Sequence, residues 1–192
     1  MMDRLAHRRF TGAMTTTNGA EALTSETVLS TAMASGARGP VLLVAAVVAG
    51  LQAGTYFTWA TGVMPGLARV DDRTFVDAVQ QMNIAIVNPV FIATFLGAPL
   101  LAGAAAVVAG PQARPWAIAA TALAVGTLAI SFAGNIPLNN ALDAAGPVDR
   151  IRDLATVRAD FETLWVRLNV GRCLTSAGAL ACLAMATLRT RG

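Results

Sequence analysis

Charged residues are bunched along the chain, and the gaps between the bunches define its elements. Residues 39–68, 78–113, 115–142 and 173–188 contain no Asp, Glu, Lys, Arg or His, which makes runs of 30, 36, 28 and 16 residues. A bilayer core of about 30 Å takes about 20 helical residues at 1.5 Å each, so the first three runs can span it, whereas the fourth covers only about 24 Å by itself. Prolines divide the runs. Pro40 suits the first turn of a helix that Pro65-Gly66 would stop, Asn88-Pro89 starts a second, and Gly110, Pro111 and Pro115 bracket a tight turn into a third. The pattern predicts an all-α protein, a four-helix transmembrane bundle, with spans at about 40–64, 89–109, 115–135 and 166–188 in a membrane domain of residues 40–189. Short amphipathic helices are expected before spans two and four. The first is capped by Asp71 or Asp72 and reaches about Val87; the second begins at about Asp149 or Arg158. Residues 136–157, with Pro137, Gly146 and Pro147, read as the longest external loop.

Residues 1–39 are rich in Ser, Thr, Ala and Gly without a sustained apolar period and read as a flexible tail, with Met14 and Met33 as alternative starts. The apolar stretch from Val41 is too long and too far along the chain for a signal peptide. Arginine placement orients the bundle. With both termini cytoplasmic, that side carries a net charge of +4 and the opposite side −1, which favours N-in, C-in; the expected location is a bacterial plasma membrane. The halves share short features: Phe75 precedes Asn83 by eight residues as Phe161 precedes Asn169, and Met64-Pro65 and Ile136-Pro137 end the odd-numbered spans. These read as a two-plus-two internal repeat or as chance matching of short elements.

Composition removes other classes. Only 13% of the residues are charged, against about 25% in soluble domains. All 14 basic residues are Arg and the formal net charge is +3, so no dense basic patch exists for nucleic acid. The single histidine, His7, lies in the polar tail, which argues against haem, zinc or copper; counting leaves a carboxylate metal site open, and no metal or cofactor is predicted. Cys173 and Cys182 stand about 13.5 Å apart along a helix, too far for a disulfide. Small residues four apart, Ala46, Gly50, Gly54 and Thr58 on span one and Gly178, Cys182 and Ala186 on span four, allow close helix approach.

Span four carries the candidate chemistry. Crossing the core draws in Arg172 and Asn169, so the guanidinium is either inside the bundle with a partner or snorkelling to the headgroups. On one continuous helix Arg158, Phe161, Trp165, Asn169, Arg172 and Ser176 fall within about 60° of one another. Such a face suits the wall of a cavity for a flat, oxygenated ligand. The competing reading places Phe161 and Trp165 in an aromatic belt and bonds Asn169 to a neighbouring helix. Gln80 and Asn83 on the first amphipathic helix are amides without a local partner. Asn88 is a cap or a ligand contact, and Asn135 and Asn139, flanking Pro137, are loop amides or ligand contacts.

The segments TYFTWATGVMPGL (55–67), DDRTFVDAVQQMNIAIVNPVF (71–91), GNIPLNNAL (134–142) and FETLWVRLNVGR (161–172) together resemble the anthrone oxygenase-like family of small four-span membrane proteins. Fungal relatives are implicated in oxidising polyketide anthrones to anthraquinones. The resemblance implies an oxygenase (monooxygenase) that needs no cofactor, acting on an aromatic polyketide or phenolic substrate. An anthrone enolate reacts with dioxygen without metal or flavin, so the protein has to supply a dry pocket, stabilisation of the enolate oxygen and a proton acceptor. On this reading Asn83, Asn169 and Arg172 are catalytic, Phe161 and Trp165 are walls, and Gln80, Asn88 and Asn135 are further substrate contacts. Asp72 or Glu162 is the acceptor. The expected partners are a small hydrophobic or aromatic ligand and the lipid bilayer. The competing functions are a non-catalytic membrane protein holding a lipid, quinone or polyketide, and an accessory subunit of a membrane complex.

The orientation is directly testable. With Cys173 and Cys182 replaced by Ala, a cysteine introduced at Ala145 should react with an impermeant maleimide from outside the cell, and one introduced at Ser35 only after permeabilisation. Equal labelling of both from outside defeats the N-in, C-in topology.

Overall fold

The computed structural model describes residues 36–190, so residues 1–35 of the expected tail, with Met14, Met33 and His7, lie outside the described residues, whereas residues 36–39, expected in the tail, are already helical because Pro40 falls within the first turns of the helix and not at its start. Five α-helices follow: α1 (Gly36–Leu67), α2 (Asp72–Ile86), α3 (Pro89–Val108), α4 (Arg114–Ala144) and α5 (Leu154–Leu188). One 3-10 turn, Val148–Arg150, precedes α5, and no strand occurs among the described residues. Helices α1, α3, α4 and α5 are each long and apolar enough to cross a membrane, and together they form an all-α four-helix bundle. Helix α2 is the short amphipathic element. It buries Phe75, Val76, Val79 and Asn83 and leaves its other face exposed.

The helix breaks follow from local chemistry. Asn88 is extended ahead of Pro89, and its Oδ1 accepts from the N–H groups of Val90 (3.1 Å) and Phe91 (3.0 Å), so α2 and α3 are separate helices. No proline stands between the corresponding segments of the second half. The amphipathic stretch expected at Asp149 or Arg158 therefore begins at Leu154, capped by Asp153, and runs unbroken into the fourth span as one 35-residue helix. At 1.5 Å per residue α5 is about 52 Å long, so its first turns stand clear of a core of about 30 Å.

Pro65 and Pro137, expected to end α1 and α4, do not. Each is preceded by a π-helical turn, Trp59–Val63 and Ser131–Asn135, in which the N–H of Met64 bonds to the carbonyl of Trp59 and that of Ile136 to Ser131, one residue further back than usual. The widened turn takes up the ladder bond that proline cannot make, and the helix continues. As a result α4 extends to Ala144 and the expected 136–157 loop shrinks to the segment after it.

Packing divides the bundle into three layers. At the end that holds the start of α1, Leu42, Ala45, Ala49, Ala102, Ala105, Ala117, Ala120, Leu183 and Ala186 form a core of mostly methyl side chains, which lets four helices approach closely. At the opposite end Met64, Phe75, Val79, Leu142, Phe161 and Trp165 form a bulky core beneath α2, with the Phe75 and Phe161 rings edge to face at 6.2 Å. Between them lies a layer of buried polar side chains: Gln52, Thr127, Ser131, Asn135, Asn169, Arg172 and Ser176. Ion pairs tie α2 to the rest: Arg158, held by Glu162 of its own helix (2.7 Å), bonds Asp72 (3.1 Å) with its guanidinium over the Phe75 ring, and Arg73 pairs with Asp149.

Asp71 and Asp153 cap α2 and α5 through the amide and hydroxyl of the threonine three residues on. The Thr74 hydroxyl and amide hold the Asp71 carboxyl below the usual carboxylate range, and the Thr156 amide and hydroxyl do the same for Asp153. A depressed folded pKa means that the stabilisation is present above the unfolded value of about 3.9 and is lost as pH falls through the folded one. Thermal unfolding temperature should therefore drop below about pH 4. The Asp71→Asn, Asp153→Asn double variant, which keeps both caps but cannot titrate, should show a smaller drop; an identical acid profile would exclude the caps as its source.

Candidate functional site

The bulky layer is not solid. A cavity of about 240 Å³ lies between α1, α3 and α4, reaches α5 at its floor and is covered by the end of α2. Tyr56, Ser131, Trp165 and Arg172 form its inner end, and the Trp59, Phe91 and Phe95 rings form its sides. The outer lip carries the polar Asn83, Asn139, Asn140 and Asp143 together with the apolar Ile86, Val87 and Ile92. The inner end is closed and the outer end open: Tyr56 is 2% and Arg172 8% exposed, whereas Asp143, Asn140 and Val87 are exposed. Each π-helical turn delivers one wall residue, Trp59 from α1 and Ser131 from α4. Local widening of a helix re-aims the side chains that follow, which is why such turns concentrate at functional sites.

The guanidinium at the inner end is held by few groups. Its Nη2 donates to Asn169 Oδ1 (2.8 Å), and Asn169 Nδ2 donates in turn to the Tyr56 carbonyl (3.2 Å), so Asn169 bridges α5 to α1 and fixes the arginine. The Tyr56 and Trp165 rings lie 4.5 and 5.1 Å from the guanidinium carbon, and the Nε–H has no acceptor. No carboxylate pairs with Arg172 among the described residues. Trp165 is itself fixed, donating from Nε1 to Asn139 Oδ1 (2.7 Å), accepting at its carbonyl from Asn135 Nδ2 (3.2 Å) and lying 5.1 Å from the Trp59 ring. The Tyr56 hydroxyl accepts from Gln52 Nε2. At the lip Asn83 Nδ2 stands 3.5 Å from Asp143 Oδ1.

The structure sorts the residues expected from the sequence. Asn83, Trp165 and Arg172 line the cavity, and Asn169 stands directly behind Arg172. Four others lie off it. Phe161 is packed between Phe75 and Trp165 in the bulky core. Gln80 donates to the Leu142 and Gly146 carbonyls and clamps α2 onto the end of α4. Asn88 is spent on the α3 cap, and Asn135 on the Trp165 carbonyl. The two expected proton acceptors, Asp72 and Glu162, are both bonded to Arg158 and do not reach the cavity. The carboxylate that does is Asp143, one residue beyond a charge-free run and read from the sequence as loop. Tyr56 and Trp59 were also missed; the signal was their three-residue spacing, since Tyr56 is the only tyrosine in the chain and stands inside a charge-free span. Among the described residues no group of three or more His, Cys, Asp or Glu side chains could hold a metal ion.

Residues 82–182, just over half of the chain, match the anthrone oxygenase family. The chain belongs to that family. The matched stretch holds Asn83, Asp143, Trp165, Asn169 and Arg172, whereas Tyr56 and Trp59 come from the helix before it. No curated protein and no solved structure matches the chain. Within this member of the anthrone oxygenase family, the role of Asn88 separates cap from ligand contact. Asn88→Ala should lower unfolding stability by about 0.5–2 kcal/mol, and Asn88→Asp, which keeps an acceptor, should restore it. Cavity ligands should bind both proteins as they bind the unaltered one, and weakened binding to a folded Asn88→Ala protein would return Asn88 to the site.

Proposed function

We propose that the cavity is the active site of a cofactor-independent oxygenase for a flat phenolic aromatic, an anthrone of polyketide type. One observation carries the reading: a single aromatic-walled cavity is bordered by both a cation, Arg172, and a carboxylate, Asp143. The family supplies the reaction class, and the residues supply what that reaction needs. An anthrone has an acidic methylene and a ketone. Asp143 takes the methylene proton and Arg172 stabilises the enolate oxygen, with Asn169 holding the guanidinium in place. The enolate carbon gives electrons to dioxygen and forms a C–O bond. Loss of water from the resulting hydroperoxide leaves the quinone, so that anthrone and O₂ give anthraquinone and H₂O with no outside reductant. Trp59, Phe91, Phe95 and Trp165 stack on the rings and keep water away from the enolate.

The apolar lip of Ile86, Val87 and Ile92 favours a second reading, a carrier that takes a lipid, quinone or polyketide from the bilayer without changing it. Both readings place the protein in a bacterial plasma membrane with its termini inside.

Oxygen uptake by purified protein with emodin anthrone, in a gas-tight cell and corrected for spontaneous oxidation, decides between them. Asp143→Asn should lower turnover by about 10²- to 10⁴-fold. Arg172→Leu should abolish it, and Arg172→Lys should rescue poorly, because an ammonium lacks the planar fork of a guanidinium. A Lys variant equal to the unaltered protein in stability and turnover, or binding without oxygen uptake, would sink the oxygenase reading.

A further inference from the structure

The charge at the inner end of the cavity is incomplete. Arg172 is 8% exposed, sits in the polar layer between two apolar cores, and has one neutral acceptor and two ring faces around it. All three ion pairs among the described residues lie at the α2 end and use Arg73 or Arg158. A guanidinium keeps its proton in proteins, so it cannot escape burial by neutralising. Desolvation is only partly offset by ring faces and one amide, and a buried cation of this kind is normally paired with an anion. The other end of the cavity has the opposite character: Asp143 stands exposed on the lip, beside Asn83 and Asn140.

We propose that the cavity takes an amphiphilic aromatic monoanion, inserted with its anionic oxygen foremost against Arg172 and its neutral end at the Asp143 lip. This rests on the reading of the cavity as the ligand site and adds the charge and orientation of what binds there. A carboxylate or ionised phenol supplies the missing counter-charge at the floor, and the rings of Trp59, Phe91, Phe95 and Trp165 take the flat body. Asp143 repels a second anionic group, so the far end is neutral or donates hydrogen bonds. The same polarity rejects fatty-acid-like insertion tail first, which would leave a carboxylate beside Asp143 and an apolar end against a guanidinium.

The test uses equilibrium binding, independent of turnover. Trp116, on the first turn of α4 at the far end of the bundle, is replaced by Phe so that emission reports Trp59 and Trp165. The protein in nanodiscs, in chloride-free buffer, is titrated with anthracene-2-carboxylate and with anthracene-2-carboxamide, and partitioning into empty nanodiscs is subtracted. The carboxylate should bind about tenfold or more tighter than the amide, and Arg172→Gln should erase that preference. A second pair guards against a misfolded Arg172→Gln protein: anthracene-2,6-dicarboxylate should bind more weakly than the monocarboxylate, and Asp143→Asn should close that gap. Equal binding of acid and amide overturns the charge and orientation while leaving the cavity as the site, and so does a preference that survives Arg172→Gln or a dicarboxylate unaffected by Asp143. Binding of neither compound overturns the cavity reading itself.

Discussion

A positive charge held in the interior of an apolar bundle sets the conditions that the rest of this structure meets. Burying a guanidinium costs several kcal/mol even after relaxation, and the groups around Arg172 offset only part of that cost. Asn169 accepts from it and is anchored on the backbone of α1, Tyr56 and Trp165 turn their faces to it, and the α5 carbonyl at Arg172 accepts from Ser176. Ser131 returns to the Thr127 carbonyl of its own helix, and the Thr127 hydroxyl bonds both the Leu123 carbonyl of its own helix and the Thr175 hydroxyl of α5 (2.7 Å). They therefore add polarity at that depth without demanding partners from lipid.

Two unlike cores make room for this layer. Methyl-sized side chains draw the helices together on one side, and large rings keep them apart on the other. The cavity lies on the side of the large rings, and the guanidinium borders its floor. Proline contributes through the π-helical turns. A helix stopped at Pro137 would not carry α4 on to Asp143, and unwidened turns would aim the Trp59 and Ser131 side chains differently.

Much of this was legible in the chain. Four long apolar helices, the break at Asn88-Pro89, the amphipathic α2 and the absence of a disulfide all follow from spacing, because a helix in lipid must satisfy its backbone internally and its length is set by bilayer thickness. The stripe on α5 was legible for the same reason. With 100° per residue on an uninterrupted helix, Trp165, Asn169, Arg172 and Ser176 had to share a face, and all four are buried.

What spacing could not decide was which face of each neighbour meets that stripe. Phe161 shares the α5 face with Trp165 yet packs against Phe75 one turn outside the cavity, since depth along the bundle and not phase around the helix separates them. Gln80 and Asn83 share a face of α2, and only the crossing of α2 over the end of α4 sends one to backbone carbonyls and the other to the lip. Asp143 was hidden because it follows a proline that normally ends a helix; a π-helical turn, a bond to the fifth residue back, carried the helix past it. Sequence alone determined the elements, their order and the polar face of the last helix, because these depend on local periodicity and on the solvent. The tertiary structure decided which polar groups confront one another across the cavity, because that depends on helix crossings and on two short turns whose geometry no single residue announces.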